Sequence, residues 1–71
     1  MKVTYDAEVD IVRIILNDMP SEESIEDKPG IIMDNDAQGK LIGIEILDAM
    51  QHGIDPHSVE YSIIGLKPIK S

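Results

Sequence analysis

Two short segments of this chain are apolar on both of their faces, and this feature most constrains the fold. They are residues 11–16 and 41–47. Both are rich in β-branched side chains and too short for a stable helix, which predicts β-strands. In the second, Ile42, Ile44 and Ile46 alternate with residues that include Leu41 and Leu47. A sheet built on such strands exposes apolar side chains on both faces, so each face needs a cover.

The length of the chain limits what that cover can be. Seventy-one residues form a single domain, 1–71, and such a short chain buries only about 60% of its unfolded surface. The sequence contains no cysteine, so a disulfide cannot add stability. We expect the C-terminal segment to cover one face and a second subunit, in a homodimer, to cover the other. If the interface is the face of Ile15 and Leu41, a glutamate at either position should break the dimer.

Alternating residues and turn formers predict three further strands, at residues 2–5, 24–27 and 31–34. Residues 35–40 contain Asn, Asp and Gly, which predicts a β-hairpin connection to the strand at 41–47. Gly39 is the residue expected to adopt the left-handed conformation after a type I turn.

The C-terminal third carries weaker signals. Residues 48–53 predict a short helical element that ends at Gly53, and Asp55 with Pro56 predicts the start of another turn. Alternation over residues 59–63 favours a late strand, with a helix over residues 58–66 as the alternative. The sequence thus predicts an α+β, mainly β fold: a small antiparallel β-meander sheet with a short C-terminal helical element, covered by a second subunit.

The charge of the chain restricts its partners. The formal net charge is −8, and all fourteen acids lie within residues 1–60. Such a field repels nucleic acid and anionic lipid, so neither is an expected direct partner. A basic protein or a cation fits better, although an acidic balance can also serve solubility alone. No apolar stretch approaches the length of a membrane span, and the N-terminus lacks a signal-peptide pattern, so we expect a cytoplasmic protein.

Five acids fall within ten residues, and we call this stretch the acidic segment: Asp18, Glu22, Glu23, Glu26 and Asp27. It includes a predicted edge strand, whose charges would protect it from pairing with other chains. Acidic complementarity selects partners by sign and raises association rates. The leading hypothesis is therefore a protein-interaction module that binds a basic partner through this segment.

Two carboxylate groupings suggest a divalent-cation site as the alternative function. Asp34, Asp36 and Glu45 match three acidic positions of a calcium-binding loop, with Gly39 at its glycine position. The same residues are also typical of a tight hairpin turn, which is the favoured interpretation. Asp6, Glu8 and Asp10 bring three further carboxylates together; the competing interpretation is a solvated turn whose side chains bond backbone amides.

The remaining residues offer little chemistry. His52 and His57 are the only imidazoles, and their spacing across Gly53 and Pro56 has no fixed zinc-binding geometry. No nucleophile elbow or phosphate-binding loop is present. The sequence predicts no cofactor, and an enzyme with its site at a dimer interface is the third and weakest hypothesis.

One long stretch resembles a known family. The resemblance covers residues 1 to about 50 and is most specific over Asp34-Asn35-Asp36, Gly39 and residues 43–49. In these the chain resembles the domain-of-unknown-function family 2283. The resemblance implies a small prokaryotic-type domain with no assigned activity, in some cases suspected of being the antitoxin-like half of a gene pair. It supplies no catalytic residues.

Overall fold

A computed structural model describes residues 1–65, which form one five-stranded antiparallel sheet. The strands are β1 (Lys2–Asp6), β2 (Ile11–Ile15), β3 (Glu23–Lys28), β4 (Ile31–Asn35) and β5 (Leu41–Ile46). Each lies within two residues of its predicted position. The small antiparallel, mostly β architecture predicted from the sequence is confirmed.

The strand order, β1-β2-β5-β4-β3, differs from the predicted simple meander at one connection. β2 pairs with β5, and the chain after β2 crosses to the far edge before β3 begins. The charges of β3 give the physical reason, because an acidic strand stays hydrated at an edge while the apolar β5 occupies the centre. The predicted meander order was therefore wrong at the connection between β2 and β3.

The pairing register separates the side chains into two unlike faces. One row across all five strands consists of Val3, Ile14, Ile44, Met33 and Ile25. We call the side of the sheet that carries this row the apolar face. The rows on the opposite side, the polar face, are Thr4, Arg13, Glu45, Ile32, Glu26 and Lys2, Ile15, Gly43, Asp34, Ser24.

The β4–β5 hairpin matches its prediction closely. Gly39 has a φ of 80° and donates its N–H to the Asp36 carbonyl at 3.0 Å. The Asp36 N–H in turn bonds the Lys40 carbonyl at 2.9 Å. Glycine adopts this backbone conformation without the steric cost of a Cβ, which explains its place at the end of the turn.

The predicted helical element is a single 3-10 turn, Ala49–His52, that closes one end of the sheet. Gly53 ends it with a φ of 81°, as expected. The Ala49 N–H donates to the Asp10 carbonyl at 3.0 Å, and the Leu47 N–H donates to the Gly30 carbonyl at 2.8 Å. These bonds tie the end of β5 to the β1–β2 and β3–β4 turns.

Residues 58–64 form neither the predicted late strand nor the alternative helix. Val59, Tyr61 and Ile63 are more than 60% exposed, so their alternation does not reflect burial in a sheet. A strand needs a neighbour for its backbone groups, and β1 and β3, the edges of the sheet, gain none from this segment. Residue 66, the end of the alternative helix, lies outside the described residues.

The core is thin. Within residues 1–65, only Val12, Ile42 and Ala49 are buried hydrophobic side chains. β2 and β5 are the central pair, so their apolar side chains are the most shielded part of a sheet that is one layer thick. In the same range, no helix has the length and apolar character needed to cross a membrane.

Candidate functional site

Four of the five acids of the acidic segment lie along one edge of the sheet. Among residues 1–65, β3 pairs with β4 on one side only, and all six residues of β3 are exposed. Glu23, Glu26 and Asp27 belong to this strand, while Asp18 and Glu22 precede it in the connection from β2. The structure thus brings Glu22, Glu23, Glu26 and Asp27 to this edge, whereas Asp18 lies near the opposite edge, in a cavity with Lys2 of β1 and Ile15 of β2.

The three acids of β3 surround the edge because they do not share a face. Glu26 lies in a polar-face row opposite Ile32, and Glu23 lies opposite Asn35. The register shifts between Glu26 and Lys28, which leaves Asp27 at a β-bulge. A chain that approaches the open edge therefore meets negative charge above, below and beside the strand.

Two members of the acidic segment also have structural bonds. One carboxylate oxygen of Glu26, Oε2, accepts the Gly30 N–H at 3.1 Å, and so braces the turn into β4. The Glu22 N–H donates to the Asn35 carbonyl at 2.9 Å, which extends the pairing of β3 with β4 by its backbone. The side chain of Glu22 takes no part in this backbone bond and is exposed.

The carboxylates proposed for a calcium-type site at the hairpin bind three different groups. Asp36 Oδ1 accepts the N–H groups of Gln38 and Lys40, both at 2.9 Å. Asp34 Oδ1 accepts the Ser24 hydroxyl at 2.6 Å. Glu45 Oε1 accepts Arg13 Nη2 at 3.0 Å in an ion pair on the polar face.

The second grouping, Asp6, Glu8 and Asp10, forms the β1–β2 turn and its flanks. Asp6 Oδ1 accepts the Glu8 N–H at 3.0 Å, which is a local turn bond. Asp10 has a left-handed φ of 57°. Across residues 1–65, no three His, Asp or Glu side chains are grouped so that they could hold a metal ion.

The carboxylate of Asp10 makes a link that the sequence did not reveal. Its Oδ1 accepts the Tyr5 hydroxyl at 2.9 Å, and both its oxygens lie 3.2–3.3 Å from the Met50 N–H. β1, the turn and the 3-10 helix therefore meet at one side chain. Met50 is 40 positions away from Asp10, and no local sequence signal indicates such a contact.

These strands correspond to a family of proteins. The family described as "Protein of unknown function (DUF2283)" matches residues 2–49. The chain belongs to this family. The match confirms the resemblance seen in the sequence and spans all five strands of the DUF2283 domain, ending at the first residue of the 3-10 helix. No curated protein and no solved structure matches the sequence.

The two histidines, which follow the segment matched by the family, lie near turns. The His57 N–H donates to Asp55 Oδ1 at 3.0 Å, and this bond forms the turn predicted at Asp55 and Pro56. His52 Nε2 lies so close to Gly30 that a Cβ at that glycine would be 3.0 Å from it. His52 therefore packs against the β3–β4 turn, while His57 serves a separate turn.

A shallow groove lies on the apolar face of the DUF2283 domain. It has a volume of about 570 Å³ and runs between the sheet residues Val3 and Ile14 and the C-terminal residues Val59 and Tyr61. A smaller cavity of about 200 Å³ lies where β1 begins and β2 ends, and its lining includes Lys2, Ile15 and Asp18. The residues of 1–65 that line the larger groove are mainly apolar, and Glu60 is the one carboxylate among them.

The Tyr5–Asp10 bond predicts a measurable titration. The hydrogen bond to the Asp10 carboxylate raises the pKa of Tyr5 above its ordinary value of 10.0, since ionised Tyr5 can no longer donate. In a Tyr61→Phe background Tyr5 is the only tyrosine, so its phenolate absorbance can be followed alone. We expect Asp10→Asn to lower the pKa of Tyr5.

Asp6→Asn is the matched control, because Asp6 raises the pKa of Tyr5 only weakly and through space. Since Tyr5 is harder to ionise when folded, its contribution to stability is complete below pH 10 and is lost as pH rises through the folded pKa. A pKa of Tyr5 that is unchanged by Asp10→Asn would contradict the hydrogen bond between Tyr5 and Asp10.

Proposed function

We propose that this domain is a protein-interaction module that binds an extended, basic segment of a partner protein along β3. The observation that carries the proposal is the combination of an open sheet edge with the acidic segment. In this binding mode the partner adds a strand to the sheet, and its lysines or arginines meet the acids around the edge.

The backbone of β3 supports strand addition. An edge strand directs the N–H and C=O groups of every second residue away from the sheet, where they lack a protein partner. β3 is six residues long and fully exposed, so an extended peptide can approach it without displacing another element. The main-chain bonds would provide affinity, and the side chains beside them would provide selectivity.

The charges of β3 support a basic partner and disfavour self-association at the same edge. If two copies paired through β3, Glu23, Glu26 and Asp27 of each would face like charges. Lys28 is the only base within the strand. A basic segment gains attraction where a second copy meets repulsion, which is how interfaces use charge to choose partners.

The other edge, β1, is a weaker candidate for the same role. It carries Lys2 as well as Asp6, so its charges do not select one sign of partner. The C-terminal residues Val59 and Tyr61 also lie across the groove from Val3 in this strand. Within residues 1–65, β3 is the edge that no other segment covers, and all of its charged residues before Lys28 are acids.

A paired gene would fit this function. The antitoxin-like role implied by the family resemblance requires a partner protein, and the acidic edge would suit a small basic one. We expect both proteins in the cytoplasm, with a short basic reading frame beside the gene of this chain. A neighbouring frame that encodes an acidic product would argue against the pairing.

We propose further that the module is a homodimer with an acidic edge exposed in each copy. The one-layer sheet with three buried hydrophobic residues in the described range supports this proposal. Small domains often need a partner subunit where no disulfide is available. Two edges per dimer would allow one complex to bind two partner segments.

The binding test uses a short peptide of alternating Lys and Val as the probe. We expect association to slow as salt is added, because screening weakens the attraction to the acidic segment. The variant Glu22→Gln, Glu23→Gln, Glu26→Gln, Asp27→Asn should associate about tenfold more slowly at low salt. Its amides keep an oxygen that can accept the Gly30 N–H in place of Glu26.

The matched control makes the same change of charge elsewhere, with Asp6→Asn, Glu8→Gln, Asp55→Asn and Glu60→Gln, all exposed. It should retain most of the rate. A second control is the same peptide with proline in place of valine, which keeps the charge, removes the backbone N–H of every second residue and disfavours pairing as a strand. Equal slowing by both variants, or equal binding of the proline peptide, would contradict binding at the β3 edge.

A further inference from the structure

We infer that a second copy of this chain docks on the apolar face, together with the exposed C-terminal segment at residues 59–64. The inference rests on the proposed homodimer and identifies its surface. It also changes the expected position of the interface, because Ile15 lies on the polar face beside Lys2 and Gly43.

The apolar face is a continuous surface. Its first row, from Val3 through Ile14, Ile44 and Met33 to Ile25, crosses the sheet from edge to edge without a charged side chain. The next row adds Tyr5, Val12, Ile46 and Ile31 and ends opposite Lys28 at the β3 edge. Yet Val3 and Ile25 at the ends of the first row are 44% and 48% exposed.

The solvent-exposed surface area of the chain is large enough to include a dimer interface. A compact monomer of this mass exposes about 4,400 Å², whereas this chain exposes 5946 Å². The excess of about 1,500 Å² is well above the roughly 800 Å² that each partner buries in a standard interface. Residues 57–65, all exposed, contribute part of this excess.

The distribution of charge favours the apolar face over the polar face and the β3 edge as the surface that contacts a second copy. Each copy has a net charge of −8, so two copies repel wherever their acids meet. The polar face carries Glu45, Asp34 and Glu26, and the β3 edge carries the acidic segment. On the apolar face the acids lie at the margins, Glu23 at the β3 edge and Glu60 in the groove, so two copies meet the least repulsion over its centre.

The C-terminal segment has the character of an arm that packs on another copy. Val59, Tyr61, Ile63 and Ile64 are between 61% and 90% exposed. The groove of about 570 Å³ separates Val59 and Tyr61 from Val3 and Ile14, so the segment does not fill its own apolar face. A second copy that enters this groove covers both apolar surfaces in a single contact.

Sedimentation of substituted chains tests the interface. The wild-type protein should sediment at twice the 7.9 kDa of one chain. Val3→Lys or Ile25→Lys should raise the dimer Kd by about a hundredfold, because the dimer would have to remove a charged ammonium from water. Val9→Lys, at a similarly exposed valine in the β1–β2 turn, is the matched control and should leave the Kd unchanged.

Two outcomes distinguish the face from the dimer itself. A wild-type monomer at hundreds of micromolar, a concentration at which even a weak dimer forms, would overturn both proposals. A dimer that persists with lysine at position 3 and at position 25 would overturn the docking face alone and leave the homodimer standing.

A second measurement needs no substitution. In a mixture of isotopically labelled and unlabelled wild-type chains, filtered nuclear Overhauser effects report contacts between copies only. We expect such contacts at the methyl groups of Ile44 and Met33 on the apolar face and at Val59. Contacts at Ile15 and Ile32 on the polar face would overturn the inference instead.

Discussion

Replacing Ile42 with alanine should destabilise this domain by about 2 to 5 kcal/mol, the usual cost of removing a buried isoleucine side chain. Ile42 is only 4% exposed in the central strand β5, and few other side chains share its burial. A domain of this length has about 4 to 10 kcal/mol of stability in total, so the variant should be partly unfolded at room temperature.

Urea denaturation followed by circular dichroism measures this loss. Met19→Ala is the control, because it also removes a large apolar side chain but from an exposed position in the loop after β2. Its free energy of unfolding should change by less than about 0.5 kcal/mol. Equal losses in the two variants would mean that Ile42 is not at the centre of the core.

Gly43→Val is expected to produce the second large loss of stability. A Cβ at position 43 would lie 3.2 Å from the Ile14 carbonyl oxygen on the neighbouring strand, and 3.7 Å from an Asp34 carboxylate oxygen. The carbonyl belongs to the backbone of β2 and cannot move without disturbing the β2–β5 pairing. The γ-methyl groups of valine add to the crowding, at a cost of about 1 to 3 kcal/mol.

A graded series tests the cause of that loss. Gly43→Ala should reduce the free energy of unfolding less than Gly43→Val, because it adds only the Cβ. Valine normally favours strands, so an exposed strand site would gain from it. A Gly43→Val variant as stable as the wild type would show that β2 and β5 are not as closely paired as the register indicates.

The strands were predictable because their patterns are local. β5 combines three isoleucines on one face with Leu41, Gly43 and Glu45 on the other, and the β4–β5 turn places glycine where a left-handed conformation is required. Such patterns depend on a few neighbouring residues and can be read without knowledge of the fold. The helical turn before Gly53 was predictable for the same reason.

The pairing order was not predictable, because it depends on contacts between distant residues. Nothing in β2 specifies that Ile14 lies opposite Ile44 rather than opposite a residue of β3. The C-terminal segment was mispredicted for a different reason. Alternation at Val59, Tyr61 and Ile63 is typical of a strand, but a strand also needs a neighbour for its backbone groups, and this segment pairs with neither edge of the sheet.

The candidate site was predictable in its charge and position but not in its bonds. The acidic segment is visible as five acids in ten residues, and its strong charge already favoured an edge strand. The partners of Asp10, Asp34 and Glu45 come from other strands and from the 3-10 helix. The spacing of these acids in the sequence had suggested that they bind a cation. In the structure they instead form hydrogen bonds and an ion pair with other parts of the fold.

Amide mapping of the peptide complex tests the proposed function most directly. The labelled domain is titrated with the Lys-Val peptide while backbone amide shifts and hydrogen exchange are recorded for residues 1–65. Strand addition predicts the largest shifts in Glu23–Lys28 and new exchange protection at every second amide of β3, with β1 unchanged. Peptide binding that leaves the β3 amides unshifted and unprotected would contradict the account.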